Sequence, residues 1–142
     1  MFKLVSAGIG FFLLSAFPAG KLTVRLEADD MLRFNLQQFE ARQGDELTLV
    51  LVNTGKIPSL RHNFVLLKPG TNTALFGNAA MNAESSEFIP PNMESSVIAR
   101  TRLAGPGQEQ KVTFVVPAKG SYEYICSAPG HYSISKGRLL VN

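Results

Sequence analysis

The sequence predicts an all-β fold, an antiparallel sandwich or barrel of seven or eight short strands. Two observations carry this. Short runs alternate apolar and polar residues, as in Leu22, Val24 and Leu26 against Lys21, Thr23 and Arg25, the period-two pattern of a strand with one buried face. Turn formers separate the runs at Gly44-Asp45, at Pro69-Gly70 and in the 104–110 stretch AGPGQEQ. The 142 residues are 45% hydrophobic, enough for a single domain with a real core and too apolar for a disordered chain. No internal repeat, low-complexity linker or second domain is visible.

Taken in order, KLTVRLEA (21–28) is the first strand and MLRFNLQQFEA (31–41) continues the alternation less cleanly. After the 44–45 turn, ELTLVLVN (46–53) is the strongest strand, rich in Leu and Val. TGKIPS (54–59) is a loop, and HNFVLL (62–67) is a strand ended by Pro69-Gly70. Residues 71–96 turn small and polar before Pro90-Pro91, and a short helix over about 73–86 fits there as an insertion packed on a sheet. SSVIARTRL (95–103) and KVTFVVPA (111–118) are strands. GSYEYIC (120–126) puts Tyr122, Tyr124 and Cys126 on one face and Glu123 and Ile125 on the other. GRLLVN (137–142) is the last strand.

The first twenty residues differ from the rest. Lys3 precedes the uncharged, mostly apolar stretch Leu4 to Phe17, and Pro18, Ala19 and Gly20 follow. A positive start, a short apolar run and small residues at its end predict a secretory signal peptide over 1–20, cut after Ala19 or Gly20. An uncleaved membrane anchor or a buried segment is the alternative, although the run is short for a bilayer span. Residues 21–142 form the domain.

Lys and Arg number 14 against 11 Asp and Glu, without a basic run, so a nucleic-acid-binding face is not expected. The single cysteine, Cys126, excludes an intramolecular disulfide. A lone thiol is unusual in an oxidising compartment. It is either buried and inert or occupied, and a metal is the most plausible occupant.

Thiolate and imidazole are the strong ligands for a borderline or soft metal. The chain has only His62, Cys126 and His131 to offer. His62 opens a strand, Cys126 ends one, and His131 follows across the tight SAPG loop, so the end of a sandwich could gather all three. Two imidazoles and one thiolate with a weak axial donor make an electron-transfer copper site. Structural zinc would need a fourth strong ligand. A Cys–His nucleophilic pair would need an orienting group and a substrate cleft that the sequence does not identify, and no catalytic residue is assigned.

The same residues resemble the cupredoxins, and their azurin-like branch in particular. The pattern of Cys126, Pro129, Gly130, His131, Lys136 and Gly137 is similar to the azurin-like copper loop and final strand. HNFVLL is similar to the stretch holding the first imidazole, SSVIARTRLAGPGQEQKVTFVV to the run leading up to the copper loop, and MLRFN to an early strand. The resemblance covers about residues 22–142. It implies an eight-stranded Greek-key sandwich with a helical flap over about 72–88. It implies one copper ion held by His62 Nδ1, the Cys126 sulfur and His131 Nδ1, and one-electron shuttling through His131 at the surface. Asn63 would tie the two ligand loops together, and backbone N–H groups aimed at the sulfur would tune it.

Four features depart from the azurin-like pattern. Ser135 stands where the weak axial methionine is expected. Arg61 replaces the glycine whose carbonyl lies on the opposite axial side, so Ser135 and the Arg61 backbone carbonyl are the candidate weak axial donors. The family's disulfide is absent. Ala128 replaces a larger apolar residue. Met31, Met81 and Met93 do not fall at the axial position.

The reading is therefore an exported type 1 copper protein of the periplasm or cell envelope, a monomer and not an enzyme. It would meet redox protein partners by transient docking near His131, beside Tyr132 and Ile57, and would touch a membrane only through an uncleaved leader. The alternative functions are a copper carrier, buffer or sensor module that does not cycle the metal, and a metal-free interaction module.

Overall fold

The computed structural model describes residues 17–142; of the leader expected over 1–20, residues 1–16 lie outside the described residues. Strand β3 (Glu46–Asn53) sets the frame. Its Leu47, Leu49 and Leu51 are fully buried while Thr48 and Val50 face outward, so the period-two pattern becomes one inward face. Each buried leucine contributes roughly 1.5–3 kcal/mol of transfer free energy. Strand β1 (Lys21–Ala28) runs parallel to β3, from Lys21 opposite Glu46 to Ala28 opposite Asn53. Strand β6 (Glu109–Val115) pairs with the other edge of β3 in antiparallel sense, with the Thr48 and Thr113 hydroxyls 2.8 Å apart across the strands.

The second sheet has five strands. They are β2 (Gln38–Ala41), β8 (Lys136–Val141), β7 (Gly120–Ile125), β4 (Val65–Leu67) and β5 (Val97–Arg100), in that spatial order. Three strands face five, and the eight together form a Greek-key sandwich. The expectation of purely antiparallel pairing is corrected: β1 pairs with β3, and β2 with β8, in parallel. The chain leaves the first sheet after β1, lays β2 into the second and returns as β3. Each crossing changes sheets instead of making a hairpin, so neighbours within one sheet can share a direction.

Residues 31–41 are less regular than the alternation suggests. The Asp29 carboxylate accepts the Met31 and Arg33 N–H groups at 2.9 and 3.0 Å, and Leu32 adopts a φ of 63°. An aspartate side chain that captures the N–H two residues on closes a local turn and takes those groups from a sheet. The chain rejoins through a single bridge between Phe34 and Ala28 before β2 begins. The insertion holds helix α1 (Thr73–Ala80), shorter than expected, then 3-10 turns over Glu84–Ser86 and Pro91–Ser96. Asn72 caps α1 by accepting the Leu75 N–H at 3.0 Å. The positive φ values of Glu87 (54°) and Phe88 (63°) turn the chain back toward the sheet.

One core cluster fills the space between the sheets, with Leu26, Leu47, Leu49, Leu51, Phe64 and Tyr124 among its fully buried members. A second lies under the flap, where Phe76 and Ile89 meet Val65, Leu67 and Ile125 on the outer face of the second sheet. Ile125 therefore points away from Cys126 yet is buried, because the flap covers the face that the alternation left open.

Candidate metal centre

Three segments meet at one end of the sandwich. His62 precedes β4 and is pinned by a two-way backbone bridge: its N–H donates to the Ala104 carbonyl at 3.0 Å, and the Ala104 N–H donates back at 2.7 Å. Cys126 directly follows β7, and its N–H donates to the Ser135 carbonyl at 2.9 Å. Between them the chain folds into a compact turn, helped by Gly130 at a φ of 79°. The His131 N–H donates to the Ala128 carbonyl at 3.0 Å, and the His131 carbonyl accepts the Ile134 and Ser135 N–H groups at 3.0 and 2.8 Å. The loop is thus fixed by its own backbone bonds at both ends.

This brings His62, Cys126 and His131 together, with one ligand atom from each lying within 4.8 Å of the others. The Cys126 Sγ is 3.9 Å from His62 Nδ1 and 3.4 Å from His131 Nδ1. A metal at about 2.0–2.1 Å from nitrogen and 2.3 Å from sulfur puts those atoms about 3.5 Å apart in tetrahedral geometry and about 3.8 Å apart in a trigonal plane. The spacing fits a single ion bound through both Nδ1 atoms and the sulfur. Cys126 and His62 are fully buried, and His131 is 6% exposed.

Burial dominates the protonation of all three groups. Burial pushes the Cys126 thiol up to about 11, against smaller opposing contributions from the Asn63 and Ala128 N–H groups. Burial, and then the neighbouring His62, push His131 down to about 4. Burial likewise lowers His62, opposed by the Asp29 backbone and the Asp29 and Asp30 carboxylates. His62 Nε2 has no hydrogen-bond partner among the described residues. At neutral pH both imidazoles are therefore neutral and can give lone pairs, while the thiol carries a proton that a metal must displace.

Asn63 joins the two ligand-bearing segments. Its N–H points at the Cys126 sulfur at 3.4 Å, its side-chain NH2 donates to Ser127 Oγ at 2.9 Å, and its amide oxygen accepts the Ser127 N–H at 2.8 Å. Ser127 Oγ in turn donates to the Phe88 carbonyl at 2.7 Å, which adds the end of the flap. Ser135 is fully buried and its hydroxyl donates to the Leu32 carbonyl, so it reaches the Asp29–Arg33 turn. The Arg61 side chain turns outward, with Nη2 3.5 Å from Glu84 and its guanidinium 6.0 Å from the Phe88 ring centre.

The methionines lie elsewhere. Met31 is 65% exposed, with its sulfur 3.2 Å from the Arg33 guanidinium. Met93 packs under the flap, and Met81 lines an open cavity of about 340 Å³ together with Arg61, Phe88, Pro129 and His131. Ile57 is 45% exposed, whereas Tyr132 is half-buried against α1.

Sequence reasoning missed Ser127, Asn53 and Thr101. Asn53 ends β3, fully buried, and its NH2 donates to the Leu60 and Ala104 carbonyls at 2.9 and 3.0 Å, bracketing the approach to His62. Thr101 Oγ1 accepts the Phe64 N–H at 3.0 Å. The one available signal was an asparagine closing an otherwise apolar run, where a buried polar side chain must have partners.

Known proteins place this geometry. Copper binding proteins of the plastocyanin/azurin family match residues 21–142. Auracyanin-A of Chloroflexus aurantiacus is 32% identical over 126 residues, 87% of this chain and 76% of that protein. Azurin of Pseudomonas chlororaphis is 30% identical over 124 residues, 83% of this chain and 96% of that one. Outer membrane protein H.8 of Neisseria gonorrhoeae is 30% identical over 127 residues, 85% of this chain and 68% of that protein. The solved structure of auracyanin A, a "blue" copper protein, superposes with a TM-score of 0.79 at 31% identity, covering 87% of this chain and all of that one. A match along the whole sandwich, around a buried pair of imidazoles and a thiol spaced for one copper ion, means that this chain belongs to the plastocyanin/azurin family of blue copper electron-transfer proteins.

Proposed function

We propose that this protein is an exported electron carrier whose copper site lacks the methionine usual on its axial side. The observation that carries the reading is the buried His62–Cys126–His131 cluster, pinned on both sides by backbone bonds and tied across by Asn63. When bound there, copper supplies a one-electron couple between its two oxidation states. His62, Cys126 and His131 would hold it with two neutral imidazoles and one thiolate. The Asn63 N–H, directed at the sulfur, would temper the thiolate charge. Burial excludes water, and the preset loop keeps the ligands from rearranging when the charge changes, which favours fast outer-sphere transfer. His131 carries the ligand set to the cavity beside Arg61 and Pro129, where a redox partner would dock briefly.

Export is supported by the charged, apolar and small-residue order of positions 1–20, and by the relative named as an outer membrane protein. The altered axial side is supported by Ser135 at that place in the loop, its hydroxyl engaged by the Leu32 carbonyl.

Ser135 also favours a second reading, a copper carrier or buffer that exchanges the metal without cycling it, because a weaker ligand set releases copper more readily. Electron self-exchange, read from NMR line broadening in mixed oxidation states, and copper release to a chelator separate the two. Rapid self-exchange with slow release supports the electron carrier. Slow self-exchange with release in seconds selects the carrier or buffer.

A further inference from the structure

We propose that Gly77 and Tyr132 form a socket and plug that position the His131 ligand loop against helix α1. Tyr132 directly follows His131 in the chain. Its ring lies so close to Gly77 that a Cβ built there would meet ring atoms Cδ1, Cγ and Cε1 at 2.1, 2.4 and 2.7 Å. Ordinary contact starts near 3.4 Å, so even a methyl group at this site must drive the ring back by more than an ångström. Gly77 is buried in the middle of α1, where glycine is a poor helix former, and its φ is not in the left-handed region. Its reason for being there is therefore space, not backbone conformation. The Tyr132 hydroxyl donates to Asn78 Oδ1 at 3.1 Å, on the next residue of the same helix, and the ring packs on the cluster of Phe76, Ile89 and Ile125.

The contact reaches the metal site through a short, stiff path. The His131 carbonyl accepts two N–H groups of the same turn, and the Cys126 N–H is bonded to Ser135 at the far end of that turn. A loop closed in this way cannot absorb a displacement at Tyr132 without moving His131. The helix thus acts as a stop for the loop. It sets how far the His131 ring stands from the Cys126 sulfur, now 3.4 Å from its Nδ1. Gly77 and Tyr132 are positioning residues, since neither is a ligand.

The inference rests on His131 binding copper, and the experiment separates the two. In Gly77→Ala, the copper-loaded protein should show a changed ratio of thiolate-to-copper bands, and copper release about tenfold faster than in the unaltered protein. In Tyr132→Phe, which keeps the ring, the spectrum should not change. Leu75→Gly weakens the same helix at an exposed position and serves as the control; it should lower the melting temperature and leave the spectrum alone. Because Gly77→Ala can fail to fold, Tyr132→Ala is examined without metal by amide hydrogen exchange. The Ile134 and Ser135 amides should exchange about tenfold faster, with the β7 amides unchanged. That readout does not depend on copper, so faster exchange without any spectral effect would place the error in the ligand assignment. An unchanged spectrum in Gly77→Ala together with unchanged loop exchange in Tyr132→Ala would overturn the proposal.

Discussion

Cys126 carries the most consequential charge change in the molecule. Without metal its buried thiol stays protonated to about pH 11, and His131 stays neutral down to about pH 4. Copper binding at neutral pH must therefore release one proton, from the sulfur. Apparent copper affinity should rise about tenfold per pH unit between pH 6 and 8, as competition with a chelator of known pH behaviour would show. A flat profile would mean that the sulfur is not a ligand. His131 and Cys126 also contribute to how the stability of the metal-free protein depends on pH. Folding lowers the His131 value from 6.5, so the unfolded chain holds more protons below that pH, and stability falls as pH drops from 6.5 toward about 4. Folding raises the Cys126 value from 9.0, so stability falls again as pH rises from 9 toward about 11. Urea midpoints of the metal-free protein should peak between these limits, and the copper-loaded protein should show a flatter curve at its alkaline end. Ser135→Met tests the axial assignment. If position 135 faces the metal, the band ratio and reduction potential should move toward those of a methionine-bearing site; unchanged values would place the side chain off the metal.

At the scale of elements, the end of the sandwich is held by polar residues that no periodicity reveals. Asn63→Ala should cost about 1–3 kcal/mol in urea unfolding, because it leaves the buried Ser127 N–H without its acceptor. Asn53→Ala removes the donor to the Leu60 and Ala104 carbonyls. It should speed amide exchange at Leu60 and His62 while leaving the β1–β3 ladder protected. The strands themselves were legible. KLTVRLEA and ELTLVLVN became β1 and β3 with the expected bounds, because one buried face imposes period two on the sequence. The 31–41 stretch holds only β2 and a bridge at Phe34, because Asp29, just outside it, captures the N–H groups that a longer strand would need. The parallel pairs were invisible, since strand direction depends on which sheet each crossover enters. The gathering of His62, Cys126 and His131 could be inferred because two are close in sequence and the third lies just ahead of a strand, where an isolated bridge to Ala104 holds it. The Gly77–Tyr132 contact joins residues 55 positions apart and left no pattern to read.

The whole molecule is a small sandwich of low net charge. Residues 21–142 carry 13 basic and 11 acidic side chains, since Lys3 is the only charged residue before them. Electrostatic steering toward a partner should be weak, and the bimolecular rate of electron transfer should change less than about threefold between low and physiological salt. A steep salt dependence would point to a charged docking face. The function rests on three side chains at one end of this sandwich forming a single copper site. Residues 21–142, given one equivalent of Cu(II), should develop intense visible thiolate-to-copper absorption that Cys126→Ser abolishes. A protein that folds, stays colourless and keeps Cys126 free or oxidised would contradict it.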